Sequence, residues 1–109
     1  MILWITGQSK SGKSTLARKI SQGRWIVLDG DAMRASISKD LGYSAEDRQD
    51  NNLRIARLAR ELDKQGFDVV VATICPYKKL RDEVEKITGC KFIHLTGGIE
   101  SKDYPYEAV

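Results

Sequence analysis

Eight consecutive residues constrain this chain more than anything else in it. Gly7-Gln8-Ser9-Lys10-Ser11-Gly12-Lys13-Ser14 stand just behind the unbroken apolar run Ile2-Leu3-Trp4-Ile5 and just ahead of a segment with helical spacing. The octet fits G-x-x-x-x-G-K-[ST] without a mismatch, which average residue usage produces by chance in roughly a few per thousand chains of this length. Gly7 and Gly12 permit backbone angles closed to other residues, so successive amides can turn inward and hold phosphate oxygens. Lys13 carries a compact positive charge to the β- and γ-phosphates. Ser14 offers a hydroxyl to magnesium, and Thr15 continues into a helix whose positive end faces the anion. The loop therefore calls for a nucleoside triphosphate such as ATP. It leaves open where the phosphate goes.

The rest of the chain supplies the scaffold such a loop needs. Residues 2–5 read as a strand buried on both faces, and residues 13–22 as a helix with Leu16, Ala17 and Ile20 on one side. A strand over 25–28 runs into Asp29-Gly30-Asp31, and the spacing predicts a short helix over 31–41 closed by Gly42. Ser44 is a good N-cap for the longest helix, with Asp47 placed for a reciprocal capping box and Gly66 at the C′ position. A third strand spans 67–74, a helix 79–88, a fourth strand 91–95, and residues 96–109 show no periodicity. Strands alternating with helices predict right-handed βαβ units, hence an α/β fold: a parallel sheet of about four strands in a three-layer sandwich. With 109 residues, no internal repeat and no linker, one domain over the whole chain is expected.

Composition narrows the function classes. A balance of 18 basic against 15 acidic side chains gives a net charge of +3, too slight to argue for nucleic acid. The apolar runs fall far short of the ~20 residues of a membrane span, and the first residues lack a secretory leader, so a cytoplasmic protein is expected. Two cysteines, Cys75 and Cys90, make neither a disulfide framework nor a zinc site. A buried, inert thiol is the expectation for Cys75, although the end of a central strand faces it toward the site. His94 reads as structural, Trp4 and Trp25 as core or interface aromatics, and Tyr104 and Tyr106 as candidates to stack on adenine.

Phosphoryl transfer also needs a carboxylate, to order magnesium or to take the acceptor proton. Asp29 and Asp31 lie at the C-terminal end of the second strand, the edge where open α/β sheets bind ligands. The third strand carries no acid, so these two are the candidates. A helix N-cap is the structural alternative for Asp31. Arg34, one turn on, can reach an acceptor phosphate, and Arg48 in the first turns of the long helix can make bidentate contacts to a phosphate or sulfate. Arg54, Arg57 and Arg60 read as solvated helix charges.

These segments resemble adenylyl-sulfate kinases. GQSKSGKST at 7–15, LDGDAMR at 28–34, DLGYSAEDRQDN at 40–51 and ICPYKKLR at 74–81 stand in that family's order and spacing. The tail from Gly98-Ile99 to Pro105-Tyr106-Glu107-Ala108 is similar to its segment near the adenine site. The resemblance implies a P-loop kinase that moves the γ-phosphoryl of ATP to an adenosine nucleotide, adenylyl sulfate above all. It gives Asp31 the task of activating the acceptor hydroxyl. Arg34, Arg48 and Asn51 become acceptor-binding groups, Pro76 and Tyr77 line the acceptor pocket, and Ser14 with Asp29 organises Mg2+.

Leu53 stands where the family has Arg, Cys75 where it has Ser, and Thr96-Gly97-Gly98 where it has a helical lid. Its fifth strand has no counterpart here. An exposed fourth strand then predicts a homo-oligomer, with a basic side chain such as Lys78, Lys79 or Arg81 entering a neighbour's site. The alternative is a monomer whose own tail, residues 99–109, covers that edge. Two alternatives stay open: a kinase of AMP or another nucleoside monophosphate, and an ATP-binding regulatory module or slow ATPase.

Overall fold

The computed structural model describes residues 1–98 and 106–107. In chain order the elements are β1 (Ile2–Gly7), α1 (Lys13–Ser21), β2 (Ile26–Asp29), α2 (Gly30–Arg34), α3 (Ala45–Lys64), β3 (Val69–Ala72), α4 (Lys78–Thr88) and β4 (Lys91–Leu95). The four strands are parallel in the order β2-β3-β1-β4, with Ile2 opposite Val69, Leu3 opposite Lys91 and Ile26 opposite Val69. The expected α/β architecture is present, with β1 interior as the buried apolar run requires.

Side-chain alternation along β3 sorts the core into two layers. Val69 and Val71 join Trp4, Ile55, Ala59, Leu80 and Val84 on the side of α3 and α4. Val70 and Ala72 join Ile5 and Ala17 on the side of α1, with Leu16, Ile20 and Trp25 packed against them. Helices thus cover both faces, which is why β1 and β3 read as continuous apolar runs rather than alternating ones. Among the described residues β4 pairs on one side only, with β1.

Several boundaries differ from the sequence expectation. The helix expected over 31–41 ends at Arg34, and residues 36–41 continue as hydrogen-bonded turns. Ser36 Oγ donates back to the Ala32 carbonyl at 2.8 Å, the local competition by which serine weakens a helix interior. Arg54, expected to be solvated, holds this segment through two bonds to Asp40 (2.6 and 2.9 Å) and one to the Ile37 carbonyl.

The strand expected over 67–74 is shorter because Phe67 belongs to the end of α3. Its N–H donates to the Leu62 carbonyl while that of Gly66 donates to Asp63, the paired bonds of a Schellman cap. The capping box at Ser44 forms only by half. Ser44 Oγ accepts from the Asp47 N–H, but the Asp47 carboxylate accepts from the Gly42 N–H instead.

Candidate active site

The C-terminal ends of β1, β2 and β3 open into a cavity of about 530 Å³, within the range of nucleotide-sized sites. Its floor is the loop between β1 and α1. Gly12 precedes α1 without a side-chain cap, and the first turn of that helix holds no acid, so its leading N–H groups and positive dipole end stay available to an anion. Lys13 Nζ donates to the Gln8 carbonyl at 2.6 Å. Burial pushes the Lys13 ammonium below the usual lysine value, while the charges of Asp31 and Asp29 act to raise it. Gly98 lies directly on the loop: a Cβ there would stand 2.3 Å from the Ser9 carbonyl oxygen, which no side chain can occupy.

The Asp-Gly-Asp triplet divides its labour by residue. Asp29, not Asp31, caps α2: its Oδ1 accepts from the Asp31 N–H at 3.0 Å, while Oδ2 accepts from Ser14 Oγ. A Cβ on buried Gly30 would meet the Thr73 side chain at 3.1 Å, so the middle position lets β2 lie close against the end of β3. Asp31 is left on the cavity wall, exposed, beside Lys13. The capping alternative for Asp31 is thereby corrected, and the two carboxylates have different environments.

Arg34, Tyr43, Arg48 and Asn51 also line the cavity. Two guanidinium groups lie against the Tyr43 ring, Arg34 at 4.4 Å and Arg48 at 5.8 Å from its centre. Arg34 donates to the Gly42 carbonyl at 2.7 Å and Arg48 Nε to that of Tyr43 at 2.9 Å, so the 42–43 loop holds both arginines. Arg34 Nε and Asn51 Oδ1 are buried with no hydrogen-bond partner among the described residues. Unsatisfied polar atoms on a cavity wall are costly unless a ligand or water completes them.

The structure brings together Gln8, Ser9, Lys10, Gly12, Lys13, Ser14, Thr15, Asp29, Asp31, Arg34, Arg48 and Asn51 on one cavity. Pro76 and Tyr77 are corrected. Pro76 is fully buried and Tyr77 packs against the core, neither lining the cavity. Cys75 is the buried, inert thiol expected of it: it lies in the core rather than on the cavity, and desolvation pushes its thiol up to about 12 and keeps it protonated. Arg81, expected to enter a neighbour's site, turns inward instead. It is 4% exposed and donates to the carbonyls of Cys75 and Glu107 at 2.8 and 2.7 Å. Tyr104 lies outside the described residues. Tyr43, Asn52, Thr73 and Ile74 also line the cavity and escaped the sequence reading. The adjacent Asn51-Asn52 pair, polar on the buried side of a helix, was the legible sign of Asn52.

Tyr106 lines the cavity beside the Arg81 guanidinium, and its hydroxyl meets His94 Nδ1 at 2.9 Å and Thr6 Oγ1 at 3.3 Å. Burial first, then the Arg81 charge, holds His94 below the usual histidine value of 6.5. Between that lowered value and 6.5 the unfolded chain binds more protons, so stability rises with pH across this window. The melting temperature should therefore climb as pH rises toward the usual histidine value of 6.5 and level off above it. His94→Gln should flatten this climb; parallel curves for parent and variant would remove His94 as its source.

Parallel strands, an uncapped helix behind a Gly-rich loop, and two acids at the C-terminal end of β2 define a P-loop kinase-type nucleotide-binding fold. Residues 1–99 match the adenylylsulphate kinase family. The chain is 42% identical over 102 aligned positions to the adenylyl-sulfate kinase of Myxococcus xanthus, covering 86% of this chain and 55% of that protein. The Mycobacterium tuberculosis APS kinase CysC, solved in complex with AMPPNP and APS, superposes with a TM-score of 0.71 at 36% identity. That match covers 85% of this chain and 59% of the other. A hexameric APS kinase from Thiobacillus denitrificans gives a TM-score of 0.77 at 35% identity, covering 85% of this chain and 21% of that one.

The chain belongs to the adenylyl-sulfate kinase family. It spans about half the length of the curated relatives it matches. These relatives do not support the AMP-kinase alternative. No helix among the described residues is long and apolar enough to cross a membrane.

Proposed function

We propose that the chain transfers the γ-phosphoryl of ATP to the 3′-hydroxyl of adenylyl sulfate. The observation that carries this reading is one cavity lined by a phosphate loop, an acid beside Lys13, two arginines, and an asparagine oxygen unpartnered among the described residues. Lys13 leaves the Gln8 carbonyl to meet the transferring phosphoryl, and the loop amides hold the β-phosphate. Asp31 accepts the acceptor's hydroxyl proton as that oxygen attacks. Arg34 and Arg48 hold the phosphate–sulfate group, with Asn51 completing its contacts.

Ser14 Oγ and the Asp29 carboxylate lie together at the loop exit, two hard oxygen donors suited to Mg2+. The described residues contain no group of three or more acidic, His or Cys side chains able to cage a metal. This suits a cation that takes one or two protein oxygens and completes its shell with phosphates and water. Bound there, Mg2+ would neutralise phosphate charge.

ADP release measured with adenylyl sulfate, with each nucleoside monophosphate and with no acceptor separates the readings. Release that depends on adenylyl sulfate is expected. Equal release without acceptor would make the chain an ATPase or a binding module, and preference for AMP would overturn the acceptor.

The homo-oligomer is also a proposal. It is supported by the hexameric relative. With Arg81 turned inward, Lys78 and Lys79 are the exposed basic groups of α4's first turn. Light scattering should give a multiple of the 12.2 kDa chain; a monomer mass at every concentration that retains activity would end this proposal.

A further inference from the structure

Three side chains that the proposed chemistry does not use form a hydrogen-bonded chain beneath the cavity. Trp4 Nε1 donates to Thr73 Oγ1 at 3.1 Å, and Thr73 Oγ1 donates to Asn52 Oδ1 at 2.7 Å. Asn52 Nδ2 then donates to two carbonyls, Arg48 at 3.0 Å on α3 and Ile74 at 3.3 Å just past β3. Trp4 is 0%, Asn52 2% and Thr73 4% exposed. The indole donor, both roles of the hydroxyl, the amide oxygen and the amide nitrogen all find partners. A buried polar chain of this kind is costly to assemble and specific once complete.

Its position shows what it specifies. The buried residues of α3 are Asn51, Asn52, Ile55, Ala56 and Ala59, so the fully buried apolar anchors begin only at Ile55. The turns before it carry Arg48 and Asn51 into the cavity, and Asn52 is the buried side chain that ties them to the sheet. Thr73 in turn belongs to the frame of the phosphate loop. Its N–H donates to the Ile5 carbonyl at 3.1 Å, two residues before Gly7.

We propose that Asn52, held by Thr73 and Trp4, is a positioning residue that fixes Arg48 and Asn51 against the phosphate loop before the acceptor binds. The inference rests on the reading of Arg48 and Asn51 as acceptor-binding groups. Loss of the tie leaves the loop as it is and lets the start of α3 move, so its effect falls on one ligand and spares the other. Displacements of this scale weaken a site by about ten-fold or more.

Thr73→Val removes the hydroxyl at nearly constant shape, and Thr73→Ser retains it. Calorimetric affinities for adenylyl sulfate and for a non-hydrolysable ATP analogue are measured on both, together with amide hydrogen exchange over 45–52. Thr73→Val should weaken adenylyl sulfate by about ten-fold and the ATP analogue by less than about two-fold, with faster exchange at the start of α3. Thr73→Ser should match the parent. Should Thr73→Val fail to fold, Asn52→Ala carries the same expectation. Equal loss of both ligands, unchanged exchange, or faster exchange with unchanged acceptor affinity would overturn the proposal. A parent that binds no adenylyl sulfate would overturn the acceptor reading instead, and the exchange comparison alone then decides the tie.

Discussion

Lys13→Ala should reduce phosphoryl transfer by about a thousandfold or more while the protein melts as the parent does. The ammonium is half-buried at the cavity floor, next to Asp31 and Asp29, and belongs to neither core layer. In the proposed reaction its charge meets developing negative charge, the kind of contact whose loss falls on the transition state rather than on folding. ADP release and a circular-dichroism melt check both halves of the expectation. Turnover near the parent's would place the chemistry elsewhere than the loop.

Asp31→Asn should lower transfer by about two to four decades, with ATP-analogue affinity little changed. The structure makes this a clean substitution, because the carboxylate that caps α2 belongs to Asp29 and survives it. An amide keeps the shape of Asp31 but accepts no proton at neutral pH. A small loss with altered magnesium dependence would point to metal ordering and to a phosphate rather than a hydroxyl as acceptor.

The strand–loop–helix unit was legible because it depends on local requirements: Gly7 and Gly12 for the turn, Lys13 and Ser14 for the phosphate, and a strand buried on both faces ahead of them. The sorting of Val69, Val70, Val71 and Ala72 onto two sides of one sheet also follows from a run with no polar break. What sequence spacing could not supply was the division of labour between Asp29 and Asp31. That division is decided by which carboxylate reaches the free N–H groups of α2. Nor could spacing place Pro76, since the chain leaves the sheet after Ala72 and turns it inward. Asn52 and Thr73 are 21 residues apart and meet only through the packing of α3 on β3.

In the proposed reaction this cavity moves the γ-phosphoryl of ATP to the ribose 3′-hydroxyl of adenylyl sulfate and releases ADP. The most direct measurement supplies ATP labelled on its γ-phosphate together with adenylyl sulfate, and maps the label in the separated products. Label is expected on the 3′-oxygen of adenylyl sulfate, formed in step with ADP. Label found only as inorganic phosphate, or on the 5′-phosphate of AMP supplied in its place, would contradict it.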